Sequence, residues 1–323
     1  MAGSRIDNRL QDRLVVLIGG SGFLGGHLAQ ELLARGARLR MASRHPEHAY
    51  FLKTQGNLGQ VQFVRCNVTR PVDVAAAMLG ADAVINLVGA FAGDLDALQG
   101  SGAGRIAAAA RAAGAGAFVH VSAIGADPES SVAYARSKAD GEAAVRAAFP
   151  EATILRPSIL FGPDDQFLNM FGGLIAALPA LPVFAPTAKL QPLFVDDAAL
   201  AAVHAVADVG AHGGKLYEIA GPEIVTMFEL NQRIAEAQNR RRLFMPLPDA
   251  FSAAIATLTG WLPWAPLTTA QWKLLQPGNL ASGQFPGLAE LGISPRPLSL
   301  FLDRWMVRYR QHGRFGARTR SAA

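Results

Sequence analysis

A short apolar run, Leu14 to Ile18, ends directly on Gly19-Gly20-Ser21-Gly22-Phe23-Leu24-Gly25, and a helical pattern of Leu24, His27, Leu28, Glu31 and Leu32 follows without a break and stops at Gly36. A strand that passes through three spaced glycines into a helix leaves few folds open. Gly19 permits the tight turn, Gly22 lets the backbone approach a pyrophosphate, and Gly25 lets the helix pack closely on the strand. The helix start adds free amides and partial positive charge, which suit an anion. The bland alternative is a glycine-rich turn with no ligand.

The same pattern continues as far as Arg156. Short apolar runs at Leu14–Ile18, Arg38–Ala42, Val61–Val64, Ala83–Leu87, Phe118–Val121 and Thr153–Leu155 alternate with longer helical stretches. That alternation predicts βαβ units and an α/β, Rossmann-type doubly wound parallel sheet. Half of the 323 residues are apolar and 17% are charged, ample for a large core and too apolar for disorder. Beyond Arg156 the alternation fails, and Pro, Gly and aromatic residues punctuate shorter elements. We expect residues 1–163 to form the nucleotide-binding domain, completed by 191–222, with 164–190 and 223–323 as a smaller C-terminal lobe. Within that stretch we expect a helix over Asp165–Leu178, a short strand at Pro192–Val195 returning to the sheet, and a helix over Asp196–Val206. A further helix over Met227–Asn239 opens with a capping box, Thr226 with Glu229.

The end of the second strand sets the choice of dinucleotide. An acidic residue there would receive the ribose hydroxyls of NAD(H), but the run is Leu39-Arg40-Met41-Ala42-Ser43-Arg44. Ser43 and the planar fork of Arg44 suit a 2′-phosphate, so NADP(H) is expected in preference to NAD(H), unless Arg44 is only a solvated arginine. Asn67 and Val68 after the third strand are placed to meet the adenine, and Leu87, Val88 and Gly89 after the fourth to pass under the cofactor. Tyr134 and Lys138 lie four apart and share one helical face. An ammonium beside a phenol favours phenolate, which lets tyrosine exchange a proton with a hydroxyl or carbonyl.

Gly19–Gly25, Tyr134 to Lys138, Leu155 to Pro163 and Phe194-Val195-Asp196-Asp197 together resemble the extended and atypical short-chain dehydrogenase/reductase superfamily. Within it, Asn86 to Gly89, Val121 to Asp127, Tyr134 to Glu142, Gln191-Pro192 and Leu267 to Gln271 look most like one epimerase/dehydratase-like branch. That branch is the nucleotide-binding accessory subunit of respiratory complex I and its bacterial relatives. The resemblance implies a tightly held NADP(H), with Pro157 to Leu160, Ile159 among them, lining the nicotinamide end. Ala123 and Ile124 stand where active members place a catalytic hydroxyl, which leaves Ser122 as the candidate partner of Tyr134 and Lys138. The run Leu98-Gln99-Gly100-Ser101 to Gly104 does not reproduce the superfamily's usual asparagine before the fourth helix. Two readings stay open: a cofactor-binding protein in which Lys138 holds the nicotinamide ribose, or an oxidoreductase or epimerase using Ser122, Tyr134 and Lys138.

Composition narrows the rest. The single cysteine, Cys66, excludes a disulfide framework and a multi-cysteine metal site within the chain, and reads as a small buried hydrophobe. His45 and His48 lack further ligands for a metal. Met1 to Arg13 is polar, so a cytoplasmic protein is expected, or one peripheral on the cytoplasmic face of the inner membrane, the matrix side in a mitochondrion. The formal charge is +5, and only five of the 30 basic residues are lysine. Phe251, Ile255, Leu258 and Leu262 recur at helical spacing beside Trp261 and Trp264, either as lobe core or as a surface for a bilayer, a quinone-like substrate or a partner. Arg304, Arg308, Arg310, Arg314, Arg318 and Arg320 would suit an anionic membrane surface or an acidic complex I-type subunit, or form a solvated tail. No nucleic-acid motif is present.

Overall fold

Leu14–Ile18 (β1) is buried along its whole length, as a central strand covered on both faces requires. The structure, a computed structural model, describes residues 8–247, 269–311 and 313. Around β1 stand Arg38–Ser43 (β2), Val61–Arg65 (β3), Ala83–Asn86 (β4), Ala117–Val121 (β5) and Thr153–Pro157 (β6). With Leu216–Ile219 they make a seven-stranded sheet in the order Leu216–Ile219, β6, β5, β4, β1, β2, β3, every pairing parallel. This is the doubly wound Rossmann-type α/β sheet expected from the alternation. Strand order reverses between β1 and β4, the crevice where open parallel sheets bind ligands.

Phe23–Ala34 (α1), Pro71–Met78 (α2), Leu95–Gln99 (α3), Ser101–Ala112 (α4) and Ala133–Ala148 (α5) connect the strands. Val16, Ile18, Val84 and Phe118 alternate onto one sheet face, where they pack with Ile106, Ala107, Val145 and Phe149 from the α4 and α5 side. On Gly104 a Cβ would lie 2.7 Å from the Ala144 Cβ, so α4 and α5 approach more closely than a side chain there would allow. The chain divides into two compact units. The first is Met1–Pro157, Val195–Ile219 and Ser282–Ser294; the second is Ser158–Phe194, Ala220–Ala281 and Pro295–Ala323. In the first, Ser282–Ser294 covers the sheet's edge strand, since the Glu218 amide donates to the Pro286 carbonyl at 3.0 Å.

The second unit is built from short ladders. Leu160–Phe161 pairs in parallel with Leu193–Phe194, Ala180–Val183 with Leu243–Pro246, and Lys189–Leu190 antiparallel with Val225–Thr226. The strand expected at Pro192–Val195 therefore does not return to the main sheet. Asp196 and Asp197 in the first turn favour a helix start, and it is the helix Val195–Ala207 that packs on the first unit's strands and on α1. Asp165 caps the helix Gln166–Ala177 by accepting from the Leu168 amide at 2.6 Å. The capping box at Thr226 and Glu229 forms in both directions and opens the helix Met227–Ala237, two residues shorter than expected. Phe161, Phe194, Phe301 and Trp305 make an aromatic cluster, with the Arg296 guanidinium 4.4 Å from the Phe194 ring.

The stripe around Phe251, Ile255, Leu258, Trp261, Leu262 and Trp264 lies outside the described residues, as do Arg314, Arg318 and Arg320. Two tail arginines are engaged by the protein: Arg308 lies 3.7 Å from Asp164, and Arg310 donates to the Ala237 carbonyl at 2.8 Å. Among the described residues no helix is long and apolar enough to cross a membrane.

Candidate cofactor site

The turn after β1 is fixed by backbone. Gly19 has φ +79°, and a Cβ there would lie 3.3 Å from the Leu87 carbonyl carbon and the Val88 nitrogen, so the turns after β1 and β4 abut at the switch point. A Cβ on Gly25 would sit 2.1 Å from the Gly20 oxygen, a clash with main chain that cannot move aside. Gly22 differs, because the nearest atom to its Cβ would be the Gly19 oxygen at 3.4 Å. The fold itself tolerates a side chain at Gly22, and a closely approaching ligand is what would not. Gly22 caps α1 with no side-chain hydrogen bond, and Ser21, Phe23 and Leu24 beside it are only half-buried. The first amides of α1 are thus left without a side-chain acceptor.

At the end of β2, Ser43 is buried and its hydroxyl has no hydrogen-bond partner, while Arg44 beside it is exposed. Asn67 turns its side chain onto its own loop, its Oδ1 accepting from the Thr69 amide at 3.1 Å and the Thr69 hydroxyl at 2.9 Å. Val68 packs into the core cluster. Cys66 is buried, and desolvation raises its thiol to about 11, which makes it inert.

The other end of the edge is built from β4, β5 and α5. The buried Lys138 ammonium donates to the carbonyls of Val88 at 3.1 Å and Val121 at 3.2 Å, and a Cβ on Gly89 would lie 3.6 Å from it. Burial lowers this lysine to about 8 against the opposing pull of the Glu142 carboxylate. Ser122, just past β5, is buried with an unpartnered hydroxyl. Ala123 and Ile124 follow it, and the Ile124 amide donates to the carbonyl of the buried Pro157 at 3.0 Å. Ile159 belongs to the second unit.

Tyr134 is half-buried under Phe91, whose ring stacks on it at 4.5 Å and 15°. Desolvation raises the phenol to about 12, so burial sets its protonation rather than the ammonium four residues on. A phenol in that state is a proton donor at neutral pH.

Three features of this end carry little local signal in the sequence. Phe91 is 58% exposed on the loop after β4. Buried Gln99, in the region of the superfamily's asparagine, accepts from the Ala90 amide at 2.9 Å and donates to the Ser137 hydroxyl at 2.8 Å, which donates to the Tyr134 carbonyl at 2.9 Å. One amide thereby braces both the loop that carries Phe91 and the turn of α5 that carries Tyr134. The third is His120 with Asn86, a polar pair inside otherwise apolar strands; a histidine amid valines was the available signal. Among the described residues no group of three or more His, Cys, Asp or Glu side chains could hold a metal.

Comparison with known proteins gives two matching family models, described as NAD(P)H-binding over residues 19–167 and RmlD substrate binding domain over 125–257. The mouse protein named NADH dehydrogenase [ubiquinone] 1 alpha subcomplex subunit 9, mitochondrial, is 32% identical over 309 residues, covering 93% of this chain and 81% of the relative. This chain belongs to that family. The relatives of that name are mitochondrial subunits, and the chain carries an NAD(P)-binding domain. A ceramide reductase of Caulobacter vibrioides is 36% identical over 192 residues, 58% of each chain. Among solved structures, a Citrobacter sp. triphenylmethane reductase complexed with NADP(H) shares the fold, with TM-score 0.72 and 20% identity over 90% of this chain and 99% of that one.

The residues fit a dinucleotide. Gly19 adopts a left-handed backbone, Gly25 leaves no room for a side chain, the helix start is uncapped, and two buried hydroxyls lack partners at the C-terminal ends of β2 and β5.

Proposed function

We propose that this chain binds NADP(H) along the C-terminal edge of its sheet and holds it tightly, as a cofactor-stabilised protein of the complex I subunit family. One observation carries the reading: the unpartnered hydroxyls of Ser43 and Ser122, three strands apart, flank the open glycine turn. Three inter-strand spacings are roughly 14 Å, a span suited to an elongated dinucleotide lying across the switch point. Ser43 and Arg44 would take the 2′-phosphate, the amides from Ser21 to Gly25 the pyrophosphate, and Lys138 the nicotinamide ribose. Asn67 and Val68 would border the adenine, and Leu87, Val88, Gly89 and Pro157 the rest of the cofactor. NADP(H) is favoured over NAD(H) because no carboxylate ends β2. A ligand that binds only the folded chain stabilises it by about 2.7 kcal/mol at a hundredfold excess over Kd. Its partners would be respiratory-complex subunits beside the inner membrane. Mass spectrometry of the nucleotide released when the purified protein is denatured tests this. NADP(H) is expected; no nucleotide, or NAD(H), overturns it.

A second reading, a carbonyl reductase, is favoured by a Tyr134 phenol that burial keeps protonated, by the unpartnered hydroxyl of Ser122 and by the likeness to a ceramide reductase. A nicotinamide supplies the hydride in such chemistry. Ser122 would orient the carbonyl oxygen and Tyr134 would give it a proton. Oxidation of NADPH by a panel of carbonyl compounds, lost in Tyr134→Phe, would establish it.

A further inference from the structure

His120 of β5 stands opposite Asn86 of β4, and both are fully enclosed. Asn86 Oδ1 accepts from the Val88 amide at 3.1 Å. Only the amide's oxygen can accept, so its NH2 group faces His120, 3.1 Å from Nδ1. Nδ1 must then be the acceptor, which places the ring proton on Nε2. That N–H is buried with no partner, at a cost of about 1–3 kcal/mol that an apolar side chain in the same space would avoid. The polar bond His120 makes among the described residues is the one to Asn86.

The bonds lead on to Lys138. Val88, fixed by Asn86, offers its carbonyl to Nζ at 3.1 Å, and Val121, the next residue after His120, offers the second at 3.2 Å. Both carbonyls that locate the ammonium thus flank the Asn86 and His120 pair. Complete burial, and after it the nearby Lys138 ammonium, disfavours a charged imidazole, which lowers it to about 3 and keeps Nδ1 free to accept.

We propose that His120 is a positioning residue for Lys138: it orients the Asn86 amide, Asn86 fixes Val88, and the Val88 carbonyl sets the ammonium at the nicotinamide end of the site. The inference rests on the cofactor reading above and adds a residue whose role is confined to one half of the ligand.

That confinement makes it testable by calorimetric titration with two probes, NADPH and adenosine 2′,5′-bisphosphate, which lacks the nicotinamide half. His120→Leu should weaken NADPH about five- to tenfold, the loss of one hydrogen-bonded brace, and leave the bisphosphate unchanged. His120→Gln, whose carbonyl can accept from Asn86, should restore NADPH. Equal losses for both probes would mean a merely structural role and overturn the proposal, as would unchanged NADPH binding in His120→Leu. Wild-type protein that binds the bisphosphate but gains nothing from the nicotinamide half also overturns it while sparing the adenosine end of the cofactor reading; binding of neither probe overturns both. Nitrogen-15 NMR of the folded wild-type protein needs no variant: a proton on Nε2 is expected, and a proton on Nδ1 would overturn the relay.

Discussion

Arg156 holds Glu142 by two hydrogen bonds of 2.8 Å, from Nε to Oε1 and from Nη2 to Oε2, joining β6 to the helix that carries Tyr134 and Lys138. The carboxylate is buried, and Glu218 of the edge strand stands 3.7 Å from the same guanidinium while accepting from the Ser282 amide and hydroxyl. These bonds raise Arg156 above its ordinary range, with the Glu142 hydrogen bond as the largest cause. A bidentate pair in an enclosed site fixes geometry as well as charge. Removing Glu142 takes two charge-assisted hydrogen bonds from the guanidinium and leaves Glu218 as its acidic neighbour, so Glu142→Leu should destabilise the chain by about 1–3 kcal/mol. Urea unfolding of the two proteins measures this, and an unchanged midpoint would show that the guanidinium finds equal company without Glu142.

Gly25 offers a sharper test of the glycine turn. A methyl group there would meet the Gly20 carbonyl at 2.1 Å, and the turn has backbone on both sides of the clash. Gly25→Ala should shift α1 away from the turn, abolish the stabilisation by NADPH in a thermal melt and lower the melting temperature of the ligand-free protein. Gly22→Ala, where 3.4 Å is available, should leave the ligand-free melting temperature near wild type and weaken only the response to NADPH. Equal behaviour of the two variants would contradict the division of labour between these glycines.

The contrast between those glycines also shows what the sequence exposes. The buried run of β1, the turn through Gly19 and the capping box at Thr226 follow rules that act over a few residues, so they can be read directly. Pairing across strands cannot be read this way. The bond between Asn86 and His120 depends on the register of β4 on β5, and the brace at Gln99 joins a loop to a helix 38 residues further on. The short strand at Leu193–Phe194 was legible as a strand, but its partner, Leu160–Phe161, was set by tertiary packing. For Tyr134, helical spacing to Lys138 argued for a lowered phenol. Desolvation outweighs that effect, and burial is a property no local pattern prints.

Burial of His120 has a consequence in acid. Its folded value is about 3 against an ordinary 6.5, so between those limits the unfolded chain binds a proton that the folded chain excludes. Stability should therefore be level with respect to this group above pH 6.5 and fall by about 1.4 kcal/mol per pH unit as pH drops from there towards 3. His120→Gln removes the titrating group. The difference in unfolding free energy between wild type and His120→Gln, followed from pH 7 to pH 4, isolates that slope from the carboxylates both proteins share. A constant difference across the range would mean that the imidazole accepts a proton without unfolding.

The stack of Phe91 on Tyr134 predicts how the phenol would respond to exposure. The rings lie 4.5 Å apart and nearly parallel, and Phe91 itself is 58% exposed, so it acts as the cover between the phenol and water. Desolvation is what raises Tyr134 to about 12, and Phe91→Ala should return it towards the ordinary value of 10. Gln99 braces the loop at Ala90 whether or not the ring is present, so the variant should keep its fold. Tyrosinate absorbance, titrated from pH 8 to pH 12.5 and compared with Tyr134→Phe to single out this residue, reads the shift. A phenol that still ionises near 12 in Phe91→Ala would assign its desolvation to the helix and strand beneath it rather than to the ring above.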